Sequence, residues 1–316
     1  MQSIRKQQYP AELIEILVPD QSSEDDTRER AASYGARVTE NPAQRAIFSM
    51  PAAFTQVDGD LIVVMAADNR VAPDFCTRMA AAFENPDVIF GFPWVTCNNP
   101  DYPASVRYIN RFTDPFNHFV YGDASNPRDF PRVYTPVIRG DGYSLYRFDR
   151  SFPPLLAIAQ GAVLRGPFRM PDGYPDDVGV VFDLIATGKL MACVEAPLVD
   201  HYTAKNLGDV LRKFRRIIAK NFKPESSLRW RDRYVPEQRI RRRRIWPFYA
   251  VSIIAPIAVA LYRAARDRDA LWLYHPMMTC AFAWITATEA LKNLPDAIDL
   301  LMSGKKDLDS SRVSKD

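Results

Sequence analysis

The chain has 316 residues, 47% hydrophobic and 25% charged, with a formal net charge of +3. That composition excludes a disordered or collagen-like chain and allows one large domain or a domain with an appendage. Cys76, Cys97, Cys193 and Cys280 are scattered without CxxC spacing, which gives neither a zinc site nor a disulfide framework and points to a reducing compartment. The polar start Met1–Gln8 has no signal-peptide core.

In chain order, residues 13–18 read as a strand, 25–34 as a polar helix and Val38-Thr39 as a short strand ending at Asn41-Pro42. A helix is predicted over 43–57, a strand over 61–65, a helix over 73–84 and a strand over 87–92. This β-α-β alternation predicts an α/β fold whose mostly parallel sheet is flanked by helices. Residues 97–155, rich in Pro, Tyr, Phe and Asn, read as loops with short elements facing an acceptor. Further elements are a strand at 160–165, a helix at 176–187 and a strand from 191 toward His201. A helix over 208–221 has Val210, Leu211, Phe214, Ile217 and Ile218 on one face, and Arg212, Lys213, Arg215, Arg216 and Lys220 avoid it.

Two apolar strands run into aspartates. Val63 to Ala67 leads to Asp68, and Glu15 to Pro19 leads to Asp20; each is followed by a polar turn and a helix. A carboxylate at the C-terminal edge of a buried strand is costly unless something binds it, and that edge is where α/β sheets hold ligands. The pair predicts a cradle for a nucleotide and a metal.

Two apolar stretches follow, 245–262 and 270–288, separated by the charged run Arg263–Asp269. Each is close to the lower limit for crossing a bilayer. Pro247 and Pro256 interrupt the first, and a spanning hairpin would put Arg263, Arg266 and Arg268 on the side opposite Arg241–Arg244 and Lys305-Lys306, which the positive-inside rule opposes. The expectation is a hydrophobic helical hairpin lying in or re-entering the interface, anchored by Trp246, Tyr249, Trp272 and Tyr274, with the arginines at anionic headgroups. A buried helical pair or a homo-oligomer contact is the competing reading. The tail 304–316 reads as disordered.

Gln8-Tyr9-Pro10, Glu15 to Asp20, Ser23, Asp25 and Thr27, then Tyr34-Gly35-Ala36-Arg37-Val38 with Asn41-Pro42, then Gly59-Asp60, Asp68 and Pro73 form an ordered series. With Gly161 to His201, where Asp176-Asp177 precedes a helix, the series resembles the family 2 glycosyltransferases, which carry the GT-A fold. Three departures stand out. The family's first strand and its turn have no counterpart after Met1, and Ala66 replaces the first acid of the Asp-x-Asp motif. The Gln-x-x-Arg-Trp signature of processive synthases is also absent, since Leu228-Arg229-Trp230 does not supply it.

The resemblance implies a GT-A-like domain over 1–225, with a donor half 1–95 and an acceptor half 96–225; the apolar stretches after it give a membrane-associated helical region 226–303. It implies nucleotide-sugar contacts from Asp20 (to the base) and Asp68; Asp60 would orient the ribose or form a plain turn, and the basic face of 208–221 offers Lys213 and Arg216 to a diphosphate or a lipid phosphate. Asp68 and His201 would hold Mg2+ or Mn2+, and Asp177, with Asp176 as fallback, would be the general base. The expected function is inverting, metal-dependent transfer of a sugar to a lipid-linked or polysaccharide acceptor, at the cytoplasmic face of a membrane. The alternative is a non-catalytic relative acting as a membrane-bound partner protein. The Arg241–Arg244 run also fits a nucleic-acid binder, but its apolar neighbours favour a membrane over nucleic acid.

Overall fold

The computed structural model describes residues 1–40, 46–97, 101–170, 177–202, 204–223 and 235–302. In chain order its helices and strands begin with α1 (Gln2–Arg5), β1 (Leu17–Asp20), α2 (Thr27–Ser33), β2 (Arg37–Glu40), α3 (Ala46–Phe54), β3 (Leu61–Met65), β4 (Asn69–Val71), α4 (Phe75–Ala82) and β5 (Val88–Thr96). They continue with α5 (Ala104–Phe112), α6 (Pro115–Tyr121), β6 (Ile138–Arg139), β7 (Tyr143–Tyr146), β8 (Gln160–Arg165), α7 (Gly179–Ala186), β9 (Leu190–His201) and α8 (Leu207–Asn221). The last are α9 (Glu237–Val251), α10 (Ile254–Asp267), α11 (His275–Lys292) and α12 (Leu294–Met302). The chain divides into two compact units. One holds Met1–Thr96, Pro131–Asp149 and Leu156–Tyr202; the other holds Cys97–Phe130, Arg150–Leu155 and Thr203–Asp316.

The first unit is built on a seven-stranded sheet in the order β3-β8-β5-β9-β7-β6, with β4 paired to β9. The expected mostly parallel sheet is corrected here: the sheet is mixed. Among the described residues only β5 and β9 are parallel neighbours within it. β3 and β5 do run the same way, as a helical crossover requires, because each is antiparallel to β8. A strand about 70 residues later in the chain has entered between them, which no local pattern foretells. The alternating burial of a β-α-β unit is kept, since Phe75, Met79 and Ala82 line one face of α4 and pack on Val71, Val163 and Val199. Burying a side chain such as Phe75 contributes about 1.5–3 kcal/mol.

β1 and β2 form a separate two-stranded parallel sheet, with Leu17 opposite Arg37 and Asp20 opposite Glu40. Among the described residues no strand joins them to β3.

The second unit is helical. Val210, Phe214 and Ile218 of α8 are buried, as the periodicity required, whereas Ile217 is exposed. Its core stacks Phe112 on Trp272 and sets Phe214 and Trp246 against Phe282. His275 is fully buried, with Nδ1 2.5 Å from the Tyr108 hydroxyl and Nε2 2.7 Å from that of Tyr249.

The expected hydrophobic hairpin is not the arrangement formed. The first apolar stretch is divided at Ser252–Ile253 into the end of α9 and the start of α10, which meet at a bend of 99°. Among the described residues no single helix is long and apolar enough to cross a membrane. The charged connector is folded into the unit: Arg263 and Arg266 pair with Asp123, and Arg111 pairs with Asp269. Trp246 and Trp272, expected at a membrane surface, are core residues at 3% and 1% exposure. Tail residues 304–316 lie outside the described residues.

Candidate active site

The C-terminal edge of β3 gathers most of the chemistry of the first unit. After Met65 the chain turns: Ala66 N donates to Ala159 O and Asn69 N donates to Ala66 O. β4 then runs antiparallel to the end of β9, which sets Asn69 opposite His201 and Arg70 opposite Asp200. Tyr202 N donates to Asp68 O at 2.8 Å and carries the pairing one residue further. This register brings the Asp68 Oδ2 atom within 3.3 Å of His201 Nε2. The His201 side chain is 11% exposed and that of Asp68 is 38% exposed, so the carboxylate faces solvent and the imidazole backs it.

The other imidazole nitrogen, Nδ1, lies 3.5 Å from the Gln160 amide. Gln160 is aimed there by a β-bulge. Met65 pairs with Gln160 and Val64 with Ala162, so Gly161 is the extra residue. Its φ of +75° is open to glycine, and a Cβ at this position would stand 2.7 Å from Val199 Cγ2.

The segment 158–160 joins the site together. Ile158 N donates to the backbone oxygen of Asp177, and Ala159 O accepts from both Ala66 N and Asn69 Nδ2. Asp177 therefore sits just before α7, tied by the backbone to the strand edge that carries Asp68. Asp176 lies outside the described residues. Asn69 Oδ1 is a buried acceptor with no hydrogen-bond partner among the described residues. A buried acceptor left unmet costs about 1–3 kcal/mol, which a bound hydroxyl would recover.

Of the remaining expected residues, Asp20 and Asp60 belong to the first unit and Lys213 and Arg216 to the second. Asp20 ends β1, but its carboxylate accepts from Ser23 N at 3.0 Å, Ser23 Oγ at 2.5 Å and Arg28 Nε at 2.6 Å. The Ser23 hydrogen bonds, then the Arg28 contact, hold its pKa down at about 2. A nucleotide base would have to share that carboxylate with Ser23 and Arg28. Asp60 precedes β3 and Asp68 follows it, so about 17 Å of strand separates their ends. Its backbone oxygen accepts from Gly166 N, the role of a turn residue, and the two carboxylates do not meet on one phosphate. Lys213 and Arg216 belong to α8 in the second unit, where Arg216 is exposed and Lys213 half-buried.

Asn69, Arg70, Gln160 and Tyr202 were not singled out in the sequence. Arg70 is exposed beside Asp68, with its guanidinium 5.8 Å from the centre of the Tyr202 ring. The signal was present in the case of Gln160, which directly precedes the noted Gly161. Nothing local marks Asn69 as opposite His201.

An octahedral divalent cation holds its ligands at about 2.1 Å, which puts neighbouring ligands about 3 Å apart. The Asp68–His201 spacing of 3.3 Å fits two such neighbours. Among the described residues no cluster of three or more His, Cys, Asp or Glu side chains is placed to hold a metal. Such a cation would therefore take its other ligands from a substrate and water, as magnesium does when it carries a diphosphate.

The sequence profile of glycosyl transferase family 2 matches residues 1–149. No curated protein matches the chain. Among solved structures, S. aureus TarS 1-349 is similar at 11% identity over 92% of this chain and 86% of that one, with a TM-score of 0.46. The same protein in complex with UDP-GlcNAc is 12% identical over 92% of this chain and 86% of that one, with a TM-score of 0.41. Scores this low transfer no site residue. The strand-end carboxylates and their order along the chain agree with the profile match, so residues 1–149 are similar to the family 2 glycosyltransferases.

Proposed function

We propose that the chain transfers one sugar from a nucleotide sugar to a lipid-linked or polysaccharide acceptor, with inversion and with the help of Mg2+ or Mn2+, at the cytoplasmic face of a membrane. The observation that carries this reading is the 3.3 Å approach of Asp68 Oδ2 to His201 Nε2 at the ligand-binding edge of the sheet. In this proposal the donor half spans 1–95, and Asp68 and His201 hold the cation. The cation, when bound, neutralises charge on the leaving diphosphate.

The acceptor hydroxyl attacks the anomeric carbon as the carbon–oxygen bond to the diphosphate breaks. Asp177 takes the hydroxyl proton, so it must be ionised before the step. Neutral His201 offers Nε2 to the cation and keeps its proton on Nδ1, where the Gln160 amide, turned to present its oxygen, orients the ring. Asn69 Oδ1 accepts a hydroxyl proton of the bound sugar, and Arg70 faces the diphosphate. Ala66 removes one carboxylate from the motif, and His201 replaces that ligand from the far side of the β4–β9 ladder.

The test is a thermal-shift panel of UDP-, GDP- and dTDP-sugars with and without manganese, on the wild type and on Asp68→Ala. A stabilisation that needs manganese and is lost in the variant supports the reading and names the nucleotide. No stabilisation of folded protein by any donor would sink it in favour of a non-catalytic relative.

A further inference from the structure

We infer that the α9–α10 elbow is a monotopic anchor that inserts into an anionic bilayer leaflet. This deepens the membrane part of the proposed function and rests on it. Phe248 and Val251 end α9 at 74% and 70% exposure, and Ile253 and Ile254 follow at 56% and 79%. On α10, Ile257 and Leu261 extend the same exposed run at 42% and 58%. An apolar surface of this kind, rimmed by charge, marks an interaction site rather than ordinary protein surface.

Most backbone donors at the bend are met within the protein. A helix start normally leaves several N–H groups to solvent. Here Ile254 N donates to Ser252 O, Ala255 N to Ser252 Oγ, and Ile257 N to Ile253 O, while Pro256 has no N–H to satisfy. Ser252 N and Oγ turn back onto the carbonyl oxygens that end α9. The donors of Ser252, Ile254, Ala255 and Ile257 are thus met from within, as backbone in hydrocarbon requires, and that of Ile253 is not met among the described residues. Ile253 holds a φ of +56°, an uncommon conformation for a β-branched residue, and it lies at the tip.

Charge identifies the occupant. Arg241, Arg244, Phe248 and Val251 follow one another at helical spacing along one exposed face of α9. A rise of 1.5 Å per residue puts Val251 about 10 Å beyond Arg244, which matches the depth from headgroups to the outer acyl chains. The arginines then meet lipid phosphates as the apolar end goes under. The far end of α10 is held in the unit by the pairs of Arg263 and Arg266 with Asp123. The elbow is therefore the free end of a fixed lever.

The test floats full-length protein with vesicles of phosphatidylcholine alone or with about a third phosphatidylglycerol, at low salt and at about 0.5 M salt. The expected result is flotation with the anionic vesicles at low salt, reduced by about tenfold or more in Phe248→Glu/Ile254→Glu. Arg241→Gln/Arg244→Gln should lose the anionic preference and the salt dependence together. Asp68→Ala should float as the wild type does, and nucleotide-sugar binding by the elbow variants, measured alongside, reports both their folding and the donor site. Three results overturn the inference. These are failure of the wild type to float, undiminished flotation of the glutamate variant, or a glutamate variant that instead turns a dimer into a monomer. The last result would assign the elbow to a second copy of the chain.

Discussion

The ends of β1 and β3 look alike in the sequence and differ in the structure. Each is a short apolar strand that closes on an aspartate and a polar turn. Asp20 is 4% exposed and bonded to Ser23 and Arg28, both within eight residues of it. The Asp68 side chain is 38% exposed against 3% for that of Asp20, and it faces His201 from 133 residues away. One carboxylate is bonded within its local fold, and the other is turned toward solvent and a distant strand. The motif records only that an acid ends a strand; the neighbouring strand decides what the acid does.

The sharpest way to break this contrast is to remove each acid in turn. Asp68→Ala should lower kcat/KM by about 10²–10³-fold, the loss expected when charge stabilisation of a leaving group is removed. Its unfolding midpoint should stay near that of the wild type, and a fall in the midpoint with activity retained would make Asp68 a second Asp20. His201→Ala should raise the manganese concentration needed for half-maximal rate by about 10- to 100-fold. Gln160→Leu should do the same more weakly. A rate profile in manganese reads both variants.

Asp20→Asn should lower the midpoint in urea. The wild-type carboxylate, held near 2 by Ser23 and Arg28, contributes stability that is complete above its unfolded pKa of about 3.9. That contribution is lost as pH falls toward 2, so the gap between wild type and variant should be full at pH 5 and narrow by pH 3. Urea titrations at the two values check it, and a gap independent of pH would remove the charge from the explanation. Asp60→Asn should leave kcat/KM within about twofold of wild type, as at an exposed turn. A larger loss would bring the opposite edge of β3 into the site.

Much of the first unit was legible in the sequence. β3 and β8 lie where the apolar runs put them, and α8 follows its periodicity to within a residue. The reason is that a 3.6- or 2-residue period is imposed by the backbone itself. The segment 97–155 was read as loops with short elements, and the elements it holds are α5, α6, β6 and β7. Its elements are short, and in α5 and α6 burial comes from partners far along the chain, such as Trp272 and His275 against Tyr108. The interfacial tryptophans were misread for a similar cause: an aromatic in an apolar helix looks the same whether it faces lipid or a protein core, and Trp246 and Trp272 face the core.

The sequence by itself determined the class of elements, the direction of β3 and β5, and the two acids worth attention, because each depends on neighbours a few residues away. Tertiary structure alone decided that β8 enters the sheet between β3 and β5, that Gly161 bulges to aim Gln160, that β4 lays Asn69 against His201, and that the apolar stretch at Ser252 breaks into an elbow. These are pairings between distant segments. Strand register and packing set them, and a local stretch of sequence carries no record of which distant partner will arrive.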